Sequence, residues 1–178
     1  MTNSYSAGGE TSHSPGDGVT RHGVTVVLRD ADATRALGRA LAAVLRAGDL
    51  VVLAGPLGAG KTVLAQGIGA GLGVAGPVTS PTFVLARVHR GGRLPLVHVD
   101  AYRVGSVEEV DDLDLDADLP ESVTVVEWGQ GLVEQLADAH LLVRLARAAT
   151  GDERTAELVG SGGDWAQRLA GSALTSRS

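Results

Sequence analysis

Fifteen side chains of this 178-residue sequence are lysine or arginine, and Lys61 is the single lysine among them. It sits in Gly55-Pro56-Leu57-Gly58-Ala59-Gly60-Lys61-Thr62, which fits the spacing G-x-x-x-x-G-K-[ST] of a phosphate-binding P-loop. In such a loop the backbone N–H groups of residues 57–62 point into one concavity and bind phosphate oxygens. Glycines at 58 and 60 let an anion approach with no Cβ in the way. On this reading Leu57, Gly58, Ala59, Gly60, Lys61 and Thr62 hold a nucleotide. The Lys61 ammonium reaches the β- and γ-phosphates, and the Thr62 hydroxyl ligates Mg2+. A compact ammonium serves this purpose where a planar guanidinium fork would not.

Phosphate chemistry with Mg2+ also needs carboxylates, one near the metal and one to orient an attacking water. Two apolar runs end in an acid: Leu96-Val97-His98-Val99-Asp100 and Val123-Thr124-Val125-Val126-Glu127. Ligands in parallel α/β sheets gather at the carboxyl ends of strands, so both acids are placed to face the phosphates. The alternative is that each is an exposed strand-end residue. Thr79-Ser80-Pro81-Thr82 follows the expected loop helix and suits a segment that senses the γ-phosphate, or an ordinary turn set by Pro81. His98 alternates with Val97 and Val99 and reads as a structural histidine before a catalytic one. Trp128 suits packing or stacking on a partner equally.

The elements that must position these groups are legible from periodicity. Val24–Leu28 reads as a strand. Asp32–Ala47 carries Ala36, Leu37, Ala40, Leu41, Val44 and Leu45 at helical spacing, with Asp30 or Asp32 to cap its start and Gly48 its end. Leu50–Ala54 is a buried parallel strand leading straight into the glycine loop, and Thr62–Leu72 continues as a helix. Phe83–His89 and Leu94–Val99 flank the turn Arg90-Gly91-Gly92-Arg93 as a hairpin. Ser106–Asp118 is acidic and suits a short helix with a turn, or simply a solvated face. Val123–Val126, Leu141–Leu145 and Thr155–Val159 are further strands, with short helices over Leu132–Ala137 and Asp164–Ala170. The predicted class is α/β, a single-domain P-loop NTPase. Its mostly parallel central sheet is flanked by helices and carries an antiparallel hairpin. Residues 1–22 and 172–178 read as disordered tails around a domain of residues 23–171.

Composition narrows the functional classes. The absence of cysteine excludes disulfides, thiolate metal sites and cysteine nucleophiles. No run approaches the roughly 20 apolar residues of a membrane span, and the N-terminus lacks a signal-peptide pattern, so the expected location is the cytoplasm. A net charge of −6 with no basic stripe argues against direct binding of DNA or RNA.

Taken in order, the motifs resemble one family. Gly55-x-Leu57-Gly58-Ala59-Gly60-Lys61-Thr62, then Ser80-Pro81-Thr82-Phe83, then His98-x-Asp100-x-Tyr102-Arg103, then Glu127-Trp128 is similar to the bacterial TsaE (YjeE) family. The resemblance spans roughly residues 24–160. It implies a small ATPase that serves threonylcarbamoyladenosine modification of tRNA at position 37. Such a protein would bind the TsaD–TsaB heterodimer, use ATP and Mg2+, and meet tRNA only indirectly, with no membrane or DNA partner. By resemblance Glu127 is the magnesium-associated glutamate, Thr62 the loop's magnesium ligand and Asp100 an essential aspartate. Asp32 and Thr34 match a segment near the adenine, and Arg154 a late arginine near the nucleotide. Pro56 departs from the family's usual acidic residue and Val63 from a common threonine. Pro56 also removes one loop N–H.

Two other classes share the loop. A small-molecule kinase would pass phosphate to a hydroxyl under an arginine-rich lid, which Arg87, Arg90 and Arg93 would have to supply. A nucleotide-gated binding module would use the loop for assembly with negligible turnover. A GTPase reading guanine through Asn-Lys-x-Asp is excluded, because Asn3 is the only asparagine and Lys61 the only lysine.

Overall fold

The computed structural model describes residues 21–80, 86–102, 119–131, 133–134 and 137–172. Of the expected tails at 1–22 and 172–178, residues 1–20 and 173–178 lie outside these residues, whereas Arg21 and His22 belong to the first strand and Ser172 is buried. The acidic segment, Arg103, Pro81, Thr82, Phe83 and half of the helix expected over Leu132–Ala137 also lie outside them.

The central strands are parallel and buried because their sequences are continuous apolar runs. β2 (Leu50–Ala54) and β5 (Val123–Glu127) are buried at every position, as parallel strands covered on both faces must be. They pair with each other and are flanked by β4 (Leu96–Asp100) and β6 (His140–Arg147), all four parallel. Antiparallel strands complete the edges. β3 (Ala86–His89) forms the expected hairpin with β4. β7 (Arg154–Ser161) pairs with β6, and β1 (Arg21–Leu28) with β7, giving the order β1-β7-β6-β2-β5-β4-β3. The second antiparallel edge is not visible in the strand sequences alone.

Helices α1 (Ala31–Val44) and α2 (Lys61–Leu72), with the short α3 (Trp165–Ala170), cover one face. Leu37, Leu41 and Leu45 join Leu64, Ile68 and Leu72 over Val51, Leu53, Val125, Leu141, Val143 and Leu145 in one core. Each such leucine contributes about 1.5–3 kcal/mol when fully buried. Leu50, Val52, Val97, Val99, Val126 and Leu142 form a second core on the opposite face.

Glycines on both α1 and α2 are explained by this packing. A Cβ on Gly38 would lie 2.5 Å from the Leu64 carbonyl oxygen and 2.7 Å from the Ile68 nitrogen, and one on Gly67 would collide with Arg35 backbone. Close approach of α1 and α2 thus offsets the roughly 0.5–1 kcal/mol that a helical glycine costs against alanine.

The end of α1 differs from expectation. The helix stops at Val44 with Leu45 as its C-cap, and Gly48 instead donates its N–H to Ser122. Two arginine side chains do the capping. Arg93 donates to the carbonyls of Ala42 (2.6 Å) and Leu45 (3.1 Å), and Arg168 donates to that of Val44 (2.6 Å). Cations at a helix C-terminus also complement its dipole. At the other end Asp30, rather than Asp32, is the N-cap and accepts the Ala33 N–H at 2.8 Å. Likewise Asp164 precedes α3 without capping it, its carboxylate being held by Arg46 and Arg168.

Candidate functional site

The site grows from the end of β2. Gly55 has φ +140 and lies against the Leu145 backbone, where a Cβ would collide with the carbonyl oxygen. Gly60 takes a left-handed conformation, φ 104, as the N-cap of α2. It supplies no side-chain cap, so the first N–H groups of α2 are left for an anion, where the helix dipole also favours negative charge. Within the loop the Ala59 N–H is turned to the Pro56 carbonyl at 3.1 Å, so this amide points along the loop and not into the concavity. Leu57 stands exposed at the tip, while Ala59 is buried.

Lys61 is almost fully buried at the mouth of the loop. Its ammonium donates to the carbonyls of Gly55 (2.7 Å) and Pro56 (2.9 Å) and faces the Trp128 ring. Burial pushes its pKa below the ordinary 10.5, against the opposing pull of the Glu127 and Asp100 carboxylates. The single lysine thus feels the charge of both acids picked out at the strand ends.

Those acids are direct neighbours. Asp100 of β4 is the register partner of Glu127 of β5, and the Ala101 N–H bonds the Glu127 carbonyl at 2.8 Å. The Asp100 carboxylate accepts from the Tyr102 N–H at 3.0 Å and the Ser80 hydroxyl at 3.3 Å. Glu127 is buried and accepts from the Thr62 hydroxyl at 3.0 and 3.1 Å, one contact for each carboxylate oxygen. Its Oε1 also lies 2.8 Å from Nε2 of the fully buried His98. Neither acid is the exposed strand-end residue that the sequence alone left open.

Trp128 follows Glu127 in a left-handed conformation, φ 63, that a bulky residue rarely adopts. Its N–H donates to the Leu53 carbonyl at 3.2 Å, and its ring meets Tyr102 edge-on at 5.2 Å.

Thr34 and Arg154 form the wall beside Gly60. A Cβ there would lie 3.3 Å from Arg154 Nε and 3.7 Å from Thr34 Cγ2. Arg154 Nε is buried with no hydrogen-bond partner, while its Nη1 donates to the Asp152 carbonyl at 2.7 Å. Asp32 is not brought to this wall by its side chain, which is 90 % exposed and paired with Arg35 at 2.8 Å.

The oxygen donors of Thr62 and Glu127 are the hard ligands that Mg2+ takes. Among the described residues no cluster of three or more acidic, histidine or cysteine side chains could hold a metal. A hydroxyl and one carboxylate make a partial set, which suits an ion that keeps water and takes phosphate oxygens from its substrate. His98, read from the sequence as structural, is fully buried and in contact with Glu127, a partner the sequence did not name. Its signal was its position two residues before Asp100, on the same face of β4.

The family model described as threonylcarbamoyl adenosine biosynthesis protein TsaE matches residues 28–156. The chain is 59% identical over 138 residues to the tRNA threonylcarbamoyladenosine biosynthesis protein TsaE of Streptomyces coelicolor, covering 74% of this chain and 93% of that one. It is 52% identical over 143 residues to the protein of the same name from Mycobacterium tuberculosis, covering 75% and 85%. The crystal structure of Bacillus subtilis YdiB superposes with a TM-score of 0.70 at 29% identity, covering 88% of this chain and 96% of that chain.

Proposed function

The chain belongs to the TsaE family of threonylcarbamoyladenosine biosynthesis proteins, and from that membership we propose that it is a Mg2+-dependent ATPase supporting tRNA modification at position 37 through the TsaD–TsaB heterodimer. The observation that carries the hydrolytic part is the carboxylate pair. Asp100 and Glu127 stand side by side at the ends of parallel strands, both acting on the charge of Lys61, with Thr62 bonded to Glu127.

Each side chain then has a role. The loop amides and the Lys61 ammonium bind the β- and γ-phosphates. Thr62 and Glu127 would hold the ion, which when bound neutralises charge on the phosphate oxygens. Asp100 orients a water for attack on the γ-phosphorus, so that ADP leaves and inorganic phosphate forms. Thr34 and Arg154 flank the nucleoside side of Gly60. The kinase reading loses support because Arg93 is bound to the end of α1 and Arg87 to the Thr79 hydroxyl at 2.9 Å. Among the described residues no helix is long and apolar enough to cross a membrane. A part in tRNA modification would put the protein in the cytoplasm.

The test is the fate of labelled γ-phosphate, with and without TsaD–TsaB. Slow release as inorganic phosphate, quickened by the partner pair, is expected, as is co-purification with that pair in ATP. Glu127→Ala should keep nucleotide binding and lose turnover. Transfer of label to a metabolite favours the kinase, and binding with no turnover in any mixture favours the binding module.

A further inference from the structure

His98 is fully buried on β4, and its Nε2 lies 2.8 Å from Glu127 Oε1. Its Nδ1 is also buried and has no hydrogen-bond partner. A carboxylate accepts and does not donate, so the bond to Glu127 requires the ring proton on Nε2. The orphaned Nδ1 agrees: a proton there would be a buried donor with nothing to receive it, a costlier arrangement than an unpaired lone pair.

Glu127 is therefore held from two sides. Thr62 reaches it from the first turn of α2, and His98 from the neighbouring strand. Glu127 is part of β5, so its backbone is fixed, but its carboxylate can still rotate about three side-chain bonds. Two donors on Oε1 from different elements remove that freedom. We infer that His98 is a positioning residue: its Nε2–H fixes the Glu127 carboxylate in the rotamer that faces Thr62. This inference rests on the proposal that Thr62 and Glu127 hold Mg2+ and serve ATP hydrolysis. Partners that orient an ion-holding carboxylate typically matter by about 10–100-fold in metal affinity or activity.

The experiment compares two substitutions that separate the donor from the volume. His98→Gln keeps an N–H near the Nε2 position, whereas His98→Leu keeps bulk and removes the donor. Affinity for a fluorescent ATP analogue is measured with and without Mg2+, alongside kcat, KM and thermal melting. In His98→Leu the metal-free affinity should stay within about twofold, while the gain in affinity on adding Mg2+ falls about tenfold or more and kcat falls 10–100-fold. His98→Gln should recover most of both. A folded His98→Leu protein with the wild-type Mg2+ gain and kcat would overturn the inference, and so would a folded His98→Gln protein as impaired as His98→Leu. A second measurement needs no substitution at His98. Nitrogen NMR of the wild-type imidazole should show the Nε2–H tautomer, with that signal shifted by Glu127→Gln; an Nδ1–H tautomer sinks the idea. If wild-type protein binds ATP with Mg2+ but never hydrolyses it, the hydrolytic proposal fails alone, because the Mg2+ affinity and tautomer results still decide the role of His98.

Discussion

The Lys61 ammonium lies 3.7 Å from the centre of the Trp128 ring. Trp128 makes this contact from a left-handed backbone, an arrangement that costs on the order of 1–3 kcal/mol and persists only when the surroundings enforce it. A cation over an indole face recovers about 0.5–2 kcal/mol. The ring and the Gly55 and Pro56 carbonyls together hold the ammonium.

Lys61 should be chemically singular. A lysine-selective acylating reagent can reach only this side chain and the N-terminal amine. Because burial lowers the Lys61 pKa, half-maximal labelling should fall below the ordinary 10.5. Bound ATP should protect the amine and move labelling to higher pH, since phosphate stabilises the charged form. Trp128→Leu should speed labelling several-fold. Mass spectrometry after timed labelling reads all three, and an ordinary pH midpoint unchanged by ATP would contradict the phosphate role.

Lys61→Arg should fail almost as badly as Lys61→Ala in binding ATP, each losing at least about tenfold. A planar fork cannot take the place of a point donor between the Gly55 and Pro56 carbonyls. Lys61→Ala should not melt below the wild type by more than a few degrees, because the fold already disfavours the buried charge. Calorimetric titration with ATP and a thermal melt check the two halves separately.

Gly67→Ala should destabilise the domain although alanine is the better helix former. The added methyl meets Arg35 backbone, and overpacking of this kind costs about 1–3 kcal/mol. For a domain of this size that lowers Tm by roughly 2–10 °C. A rise in Tm would mean that α1 and α2 are free to separate.

Acid should weaken the fold through His89. Burial is the main cause that lowers its pKa below 6.5, and the nearby His98 and Arg87 add to it. As pH falls through 6.5 the unfolded chain takes a proton that the native site resists. The unfolded state then binds more protons, so stability declines with falling pH until the lowered native value is passed. His89→Gln should flatten the urea midpoint between pH 7.5 and 5.5; an unchanged slope would point to another group.

The glycine loop and its two acids were legible because each is punctuation in an apolar run. Gly55 to Thr62 interrupts a strand and a helix, while Asp100 and Glu127 each end a strand. The parts that were not legible depend on distance through space. Nothing in the spacing of Arg93 and Arg168 shows that both cap α1, because they come from a hairpin turn and a distant helix. Gly48 looked like the cap for that reason. The partner of His98 was not legible either, because its spacing to Asp100 along β4 does not show the Glu127 carboxylate on the next strand. Asp32 and Thr34 are two residues apart in sequence, yet on a helix they point in different directions, so only Thr34 meets the loop.

The pairing of β1 with β7 sets the order in which the molecule can be finished. Every ladder partner of residues 21–28 lies between Arg154 and Ser161. At about 5–20 residues per second, the first strand emerges from the ribosome roughly 6–25 s before its partner is made. Through that interval it is an unpaired strand, a template for pairing with other chains. The helices α1 and α2 and the strand between them are complete long before. The strand that carries Arg154 is the last of the sheet to be made, and the wall beside Gly60 is absent from the nascent chain until then.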